Sequence, residues 1–212
     1  MQYNLASSEF EKSLLIFETS LGKNHPRTAT AYTSFGSLLV IQDDFYLALK
    51  FYRKALAIDK STKKVSDSET ASTYDHIGDV LFRQARYNEA LEEYQRSLHI
   101  RRSMSDGNSA VESAKSLRKI AGVLQTLGDF DEALINLHKA LQSCQSVLGT
   151  NRLENASIHS DVAGVLLQKG LFAEAMVDFE KCHDIIESIL GDDHPYSAAS
   201  YVDIHSSCNF PI

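Results

Sequence analysis

The sequence has no tryptophan, and only three prolines, ten glycines and three cysteines in 212 residues. So few helix breakers favour long helices over many short strands. The cysteines, Cys144, Cys182 and Cys208, are odd in number and widely spaced. They fit neither a disulfide framework nor a CxxC zinc site, and they read as small buried hydrophobes in a reducing compartment. No run approaches the roughly 18 apolar residues of a membrane span. The first ten residues carry Glu9 and no apolar stretch of signal-peptide type. The expectation is a soluble, cytoplasmic chain, on which the sequon Asn155-Ala156-Ser157 is a chance match.

Basic charge is also short. Lys and Arg number 21 against 28 Asp and Glu, a net charge of −7. That balance argues against tracking nucleic-acid phosphates and against an anionic membrane surface. Catalytic signatures are missing as well: no phosphate-binding glycine loop and no nucleophile elbow follows a strand. Two S-x-x-K matches, Ser61 to Lys64 and Ser116 to Lys119, stand without their companion motifs. The eight histidines share no ligand spacing. His25 and His194 sit where they would cap helices, and His159 and His205 at packing positions. We therefore expect no enzyme, no metal and no cofactor.

What the chain does have is 43% hydrophobic residues, arranged in an internal repeat. Phe45, Tyr87, Phe130 and Phe172 are spaced by 42, 43 and 42. Three residues after each stands an alanine: Ala48, Ala90, Ala133, Ala175. Four further on stands a bulky residue: Tyr52, Tyr94, Leu137, Phe179. Then, three on, comes a small one: Ala55, Ser97, Ala140, Cys182. Tyr3, Ala6, Phe10 and Ser13 carry the same pattern one period earlier.

The upstream half of each unit repeats too. It reads Tyr32, Phe35, Gly36, Leu39, then Tyr74, Ile77, Gly78, Leu81. Leu117, Ile120, Ala121, Leu124 and His159, Val162, Ala163, Leu166 follow, and Tyr201, Ile204, His205 and Cys208 begin another copy. Spacings of three and four put these residues on one face of a helix. Gly36, Gly78, Ala121 and Ala163 on a first helix A, and Ala48, Ala90, Ala133 and Ala175 on a following helix B, let the two backbones approach. Turn signals separate the halves at Asp43-Asp44, Arg86, Gly128-Asp129 and Gly170. Gly22, Gly107, Gly149 and Gly191 recur between units, with Asn24 and Asp193 as possible caps and Pro26 and Pro195 opening a helix A.

The predicted fold is all-α: a right-handed superhelical array of antiparallel helical hairpins with about ten helices. They cover 3–21, 27–42, 44–61, 67–84, 87–105, 109–126, 129–148, 152–169, 171–190 and 195–208. One array fills 1–212, as a half-repeat 1–24, repeats 25–66, 67–108, 109–151 and 152–193, and a partial repeat 194–212. It opens on a helix B and closes within a helix A, so we expect a fragment of a longer array whose exposed terminal half-repeats could self-associate.

Leu21-Gly22-Lys23-Asn24-His25-Pro26 and Leu190-Gly191-Asp192-Asp193-His194-Pro195 mark the junctions, and helix B ends as Ala55-Leu56-Ala57-Ile58 or Ser97-Leu98-His99-Ile100. With its 42-residue period, this resembles the kinesin light chain type of tetratricopeptide repeat over nearly the whole chain. The paired asparagines of that family are replaced here by Thr33-Ser34, Asp75-His76, Arg118-Lys119 and Ser160-Asp161. The resemblance implies a non-catalytic scaffold or adaptor that binds a protein or peptide. The alternative is a regulatory or sensor segment of a larger signalling or transcription-related protein.

A partner would meet the helix A face off the packing stripe. Thr33 and Ser37, Asp75, Asp79 and Phe82, Lys115, Arg118 and Gln125, and Ser160 fall there. The expected groove is mixed in charge, with Arg118 as its best carboxylate partner because of its forked geometry.

Overall fold

The computed structural model describes residues 2–62, 67–104, 107–150, 152–197 and 200. Nine α-helices and no strands occur among them: α1 (Gln2–Ser20), α2 (Pro26–Ile41), α3 (Phe45–Thr62), α4 (Asp67–Arg83), α5 (Tyr87–Ser103), α6 (Gly107–Leu127), α7 (Phe130–Leu148), α8 (Leu153–Lys169) and α9 (Phe172–Leu190). Every boundary falls within two residues of the predicted range. Residues 195–197 turn helical again, but Tyr201, Ile204, His205 and Cys208 lie outside the described residues.

The chain falls into two compact units, residues 1–104 and 105–212. In the first, α2 pairs with α3 and α4 with α5, while α1 lies on α2 and α3 on α4. In the second, α6 pairs with α7 and α8 with α9, and α7 lies on α8. Each unit is thus a stack of hairpins in which every partner is a near neighbour in sequence.

The small residues mark where the paired helices touch. Ala48, Ala90, Ala133 and Ala175 are wholly buried. Opposite them, Gly36 and Gly78 leave room for a tyrosine ring. A Cβ at Gly36 would lie 2.6 Å from Tyr52, and one at Gly78 2.5 Å from Tyr94. In the other two hairpins Ala121 and Ala163 stand in place of glycine, where the partner-helix residue is Leu137 or Phe179.

The turns repeat with the same fidelity. Within the hairpins one residue is left-handed each time: Asp43 (φ 59°), Ala85 (φ 57°), Gly128 (φ 86°) and Gly170 (φ 81°). Between hairpins, Gly22, Gly149 and Gly191 also take positive φ. The residue six positions on ties each back: Thr28 Oγ1 to the Gly22 carbonyl at 2.9 Å, Asn155 Nδ2 to that of Gly149 at 2.7 Å, and Ser197 Oγ to that of Gly191 at 2.7 Å. The helix cap is the imidazole and not Asn24: His25 is the N-cap of α2, and its Nδ1 accepts from Arg27 N–H at 3.1 Å. His194 Nδ1 accepts from Tyr196 N–H in the same way, also at 3.1 Å. An imidazole oriented at the first turn satisfies a backbone donor that the helix itself leaves open.

Candidate functional site

In the first unit, the residues expected to face a partner are engaged within the fold. Thr33 Oγ1 lies 3.3 Å from the Ala29 carbonyl and 3.4 Å from Thr73 Oγ1. Ser37 Oγ donates to the Thr33 carbonyl and lies 3.1 Å from Tyr52 Oη. Asp75 is buried, and Arg101 Nη1 reaches its Oδ2 at 2.5 Å while also bonding Ser97 Oγ at 3.0 Å. Asp75 therefore presents no open carboxylate; it is half of an ion pair between α4 and α5. Asp79 Oδ1 accepts from Tyr94 Oη at 2.7 Å. Burial, then the Asp79 charge and hydrogen bond, push the Tyr94 hydroxyl well above its ordinary range. Phe82 packs its edge on Tyr87, with ring centroids 5.3 Å apart.

The second unit is different. Arg118 of α6, Ser157, Ser160 and Asp161 of α8, and Ile186 of α9 border a cavity of about 510 Å³ that also meets Tyr196. Leu153, Ala156 and Cys182 supply apolar lining. Arg118 Nε donates to Asp161 Oδ2 at 2.5 Å, and its Nη2 lies 3.5 Å from the Ser157 carbonyl. Both side chains of this pair are about one-third exposed, at 32% and 39%, so solvent screens it. The guanidinium has five N–H donors, more than these two contacts use.

The structure thus gathers Arg118 and Ser160 into one cavity. Lys115 is not part of its lining; it pairs with Glu112 at 2.6 Å, one turn earlier on α6. Gln125 lies beside Gly164, whose Cβ would stand 4.0 Å from its Nε2. Asp161, Ser157, Ile186 and Tyr196 were missed from the sequence. Asp161 is one position past Ser160, the repeat equivalent of Arg118.

Two other groups of this unit carry chemistry. His159 Nδ1 lies 2.7 Å from Asp178 Oδ1, both largely buried. Cys144 is buried in the core, and burial pushes its thiol up. Among the described residues there is no cluster of three or more metal-ligating side chains, and no helix long and apolar enough to cross a membrane.

The tetratricopeptide repeat family matches residues 1–61 and 112–176 with one of its models and 70–105 with another. The chain belongs to the tetratricopeptide repeat family. No curated protein matches it by sequence. Solved structures do match. BtubC (BKLC) from P. vanneervenii superposes with a TM-score of 0.76 at 18% identity, covering 97% of this chain and 80% of that one. A putative kinesin light chain of Podosopora anserina, with nearly identical TPR-like repeats, gives 0.74 at 15% identity, over 89% of each chain. The apo form of RapI gives 0.75 at 15% identity, over 96% of this chain and 53% of RapI. At such identities the likeness is one of fold. This tetratricopeptide repeat chain has the helical-hairpin architecture of kinesin light chain-like repeats, and repeats of its family generally mediate protein–protein contacts.

Proposed function

We propose that this tetratricopeptide repeat protein is a non-catalytic scaffold that holds a short segment of a partner protein in the cavity of its second unit. One observation carries the reading: an apolar lining and a solvent-screened ion pair share a cavity of about 510 Å³. Such a lining suits a peptide that buries one apolar side chain and places a carboxylate beside Arg118. Ser157 and Ser160 offer hydroxyls to its backbone. Asp161 competes for the same guanidinium, so an incoming carboxylate has to share or replace it. Lys115, one turn before Arg118, adds attraction at longer range.

A peptide array incubated with the folded chain, followed by titration of the best sequence, tests the proposal. The double variant Lys115→Glu, Arg118→Glu and the cavity-filling variant Ser160→Trp should each weaken binding at least about tenfold, the scale of a charged hydrogen bond. Unchanged affinity in both would sink it.

A further inference from the structure

The two hairpins of the first unit treat one buried position in opposite ways. In the second hairpin Arg101 of α5 lies against Asp75 of α4, and both are buried. One period earlier Asp59 of α3 stands at the place of Arg101, and Thr33 of α2 at the place of Asp75. A carboxyl group therefore sits where the next repeat keeps a guanidinium, and the position facing it carries no charge.

Asp59 is 8% exposed. Its Oδ2 accepts from Thr70 Oγ1 at 3.2 Å, but its Oδ1 is buried with no hydrogen-bond partner among the described residues. Burial pushes the carboxyl up; the Thr70 hydrogen bond opposes this, and the charge of Glu69 adds to it. A nearby cation would favour the ionised form and offset the cost of burying it.

Asp59 borders a cavity of about 130 Å³ between α2 and α4, roughly ten times the space that one water needs. The hydroxyls around it have their protons committed. Thr33 Oγ1 donates to the Ala29 carbonyl at 3.3 Å, Thr73 Oγ1 to that of Glu69 at 2.9 Å, and Ser72 Oγ to that of Ser68 at 2.9 Å. Bonding back along the helix in this way leaves the hydroxyl oxygens as acceptors. Glu69 borders the same space. The lining thus combines acceptors and negative charge with the apolar groups of Ala29 and the threonine methyls. An ammonium has three donors and no acceptor, and an alkyl stem suits the apolar groups. No third acidic, imidazole or thiol ligand joins the two carboxyl groups among the described residues, which disfavours a divalent metal ion.

We infer that this cavity takes a primary ammonium on an unbranched alkyl stem, supplied by a lysine side chain of a bound segment or by a free alkylamine. The ammonium pairs with Asp59 as Arg101 pairs with Asp75 one repeat later. The site is separate from the cavity of the second unit, and each is tested without the other.

The probes are n-butylammonium chloride and Nα-acetyl-lysine methylamide, titrated into the isotope-labelled full chain at constant ionic strength. Saturable shifts of the Thr33 and Thr73 amide signals are expected, and the tighter probe identifies the source. Asp59→Asn keeps the shape and removes the charge; it should weaken both probes at least about tenfold, the scale of a charged hydrogen bond. Thr33→Asp with Asp59→Arg installs the pair of the next repeat and should abolish binding while the thermal melt by circular dichroism stays cooperative. Equal binding by the wild type and Asp59→Asn overturns the inference, as does an absence of saturation. Displacement of butylammonium by an equal concentration of potassium overturns it too, since the stem would then not be recognised. So does tighter amine binding by the Lys63→Ala, Lys64→Ala chain, because a lysine of the chain itself would then be the occupant.

Discussion

Tyr94 reaches across the α4–α5 crossing to donate a 2.7 Å hydrogen bond to Asp79, the residue that follows the glycine beneath its ring. Tyr52 stands in the same relation to Ser37 over Gly36, at 3.1 Å. A phenol lying flat on a helix backbone needs that backbone bare. Where the partner helix offers leucine or phenylalanine, alanine occupies the glycine position.

Gly78→Ala should therefore destabilise the chain although alanine is the better helix former. The methyl group would lie 2.5 Å from a buried ring. Overpacking of this kind costs roughly 1–3 kcal/mol, against a propensity gain of about 1 kcal/mol. A net loss of up to about 2 kcal/mol is expected in urea denaturation. Pairing Gly78→Ala with Tyr94→Leu, the combination found at Ala121 and Leu137, should recover part of that loss. Full additivity of the two changes would disprove direct contact as the cause.

The Asp75–Arg101 pair makes a second case. Their side chains are 8% and 4% exposed. Removing one charge strands the other, at a cost of roughly 3–5 kcal/mol. Asp75→Ala should lower stability on that scale and show little dependence on salt. Disrupting the exposed Lys115–Glu112 pair with Lys115→Ala should change stability by less than about 0.5 kcal/mol. If both variants lose the same amount, burial is not what distinguishes them.

These two pairs also show what could be read from the sequence. The period, the helix bounds and the small–bulky packing are legible because each helix contacts near neighbours in the chain, and spacings of three and four record the contact directly. The fate of a charged residue is not. Asp75 and Asp79 share a helix face with Thr33 and Arg118 by position in the repeat, and charge suggested an open surface. Whether such a residue is open depends on what the next helix carries 15 or 26 residues later: Tyr94 for Asp79, Arg101 for Asp75. Those partners vary from repeat to repeat while the hydrophobic pattern does not. Gly128 and Gly170 announced their turns, but Asp43 and Ala85 adopt the same backbone without the residue that usually signals it.

That last observation gives a third expectation. Ala85 is held at φ 57°, where a Cβ costs roughly 1–2 kcal/mol. Glycine removes the strain and adds unfolded-state entropy of about 0.4–1 kcal/mol. Ala85→Gly should stabilise by about 0.5 kcal/mol and raise the melting temperature. The control is Gly170→Ala at the same turn of the last hairpin (φ 81°), which should lower it. A fall in both variants would show that the turn residue is not what limits Ala85.

The packing position that holds His159 and Asp178 makes the chain's stability sensitive to acid. Position by position, the slot holds Tyr32 with Phe51, Tyr74 with Glu93, Leu117 with Asn136, and His159 with Asp178. Only the last is a hydrogen-bonded acid–imidazole pair, at 2.7 Å, with Lys181 3.5 Å from the same carboxylate oxygen. Burial pushes the Asp178 carboxyl up, but the His159 hydrogen bond and the Lys181 charge outweigh it and hold the group below its usual range. A depressed folded-state pKa means that the unfolded chain binds the proton first as pH falls. The stabilisation is therefore complete above the ordinary aspartate pKa of about 4, and it is lost as pH falls through the lower folded value. Asp178→Asn should cost about 1.5–3 kcal/mol near neutrality, as loss of a charged hydrogen bond does. Its stability should converge on that of the wild type below about pH 4. Urea denaturation of both chains between neutrality and acid checks this: a gap that stays constant down to the lowest pH would mean that the carboxylate charge contributes nothing.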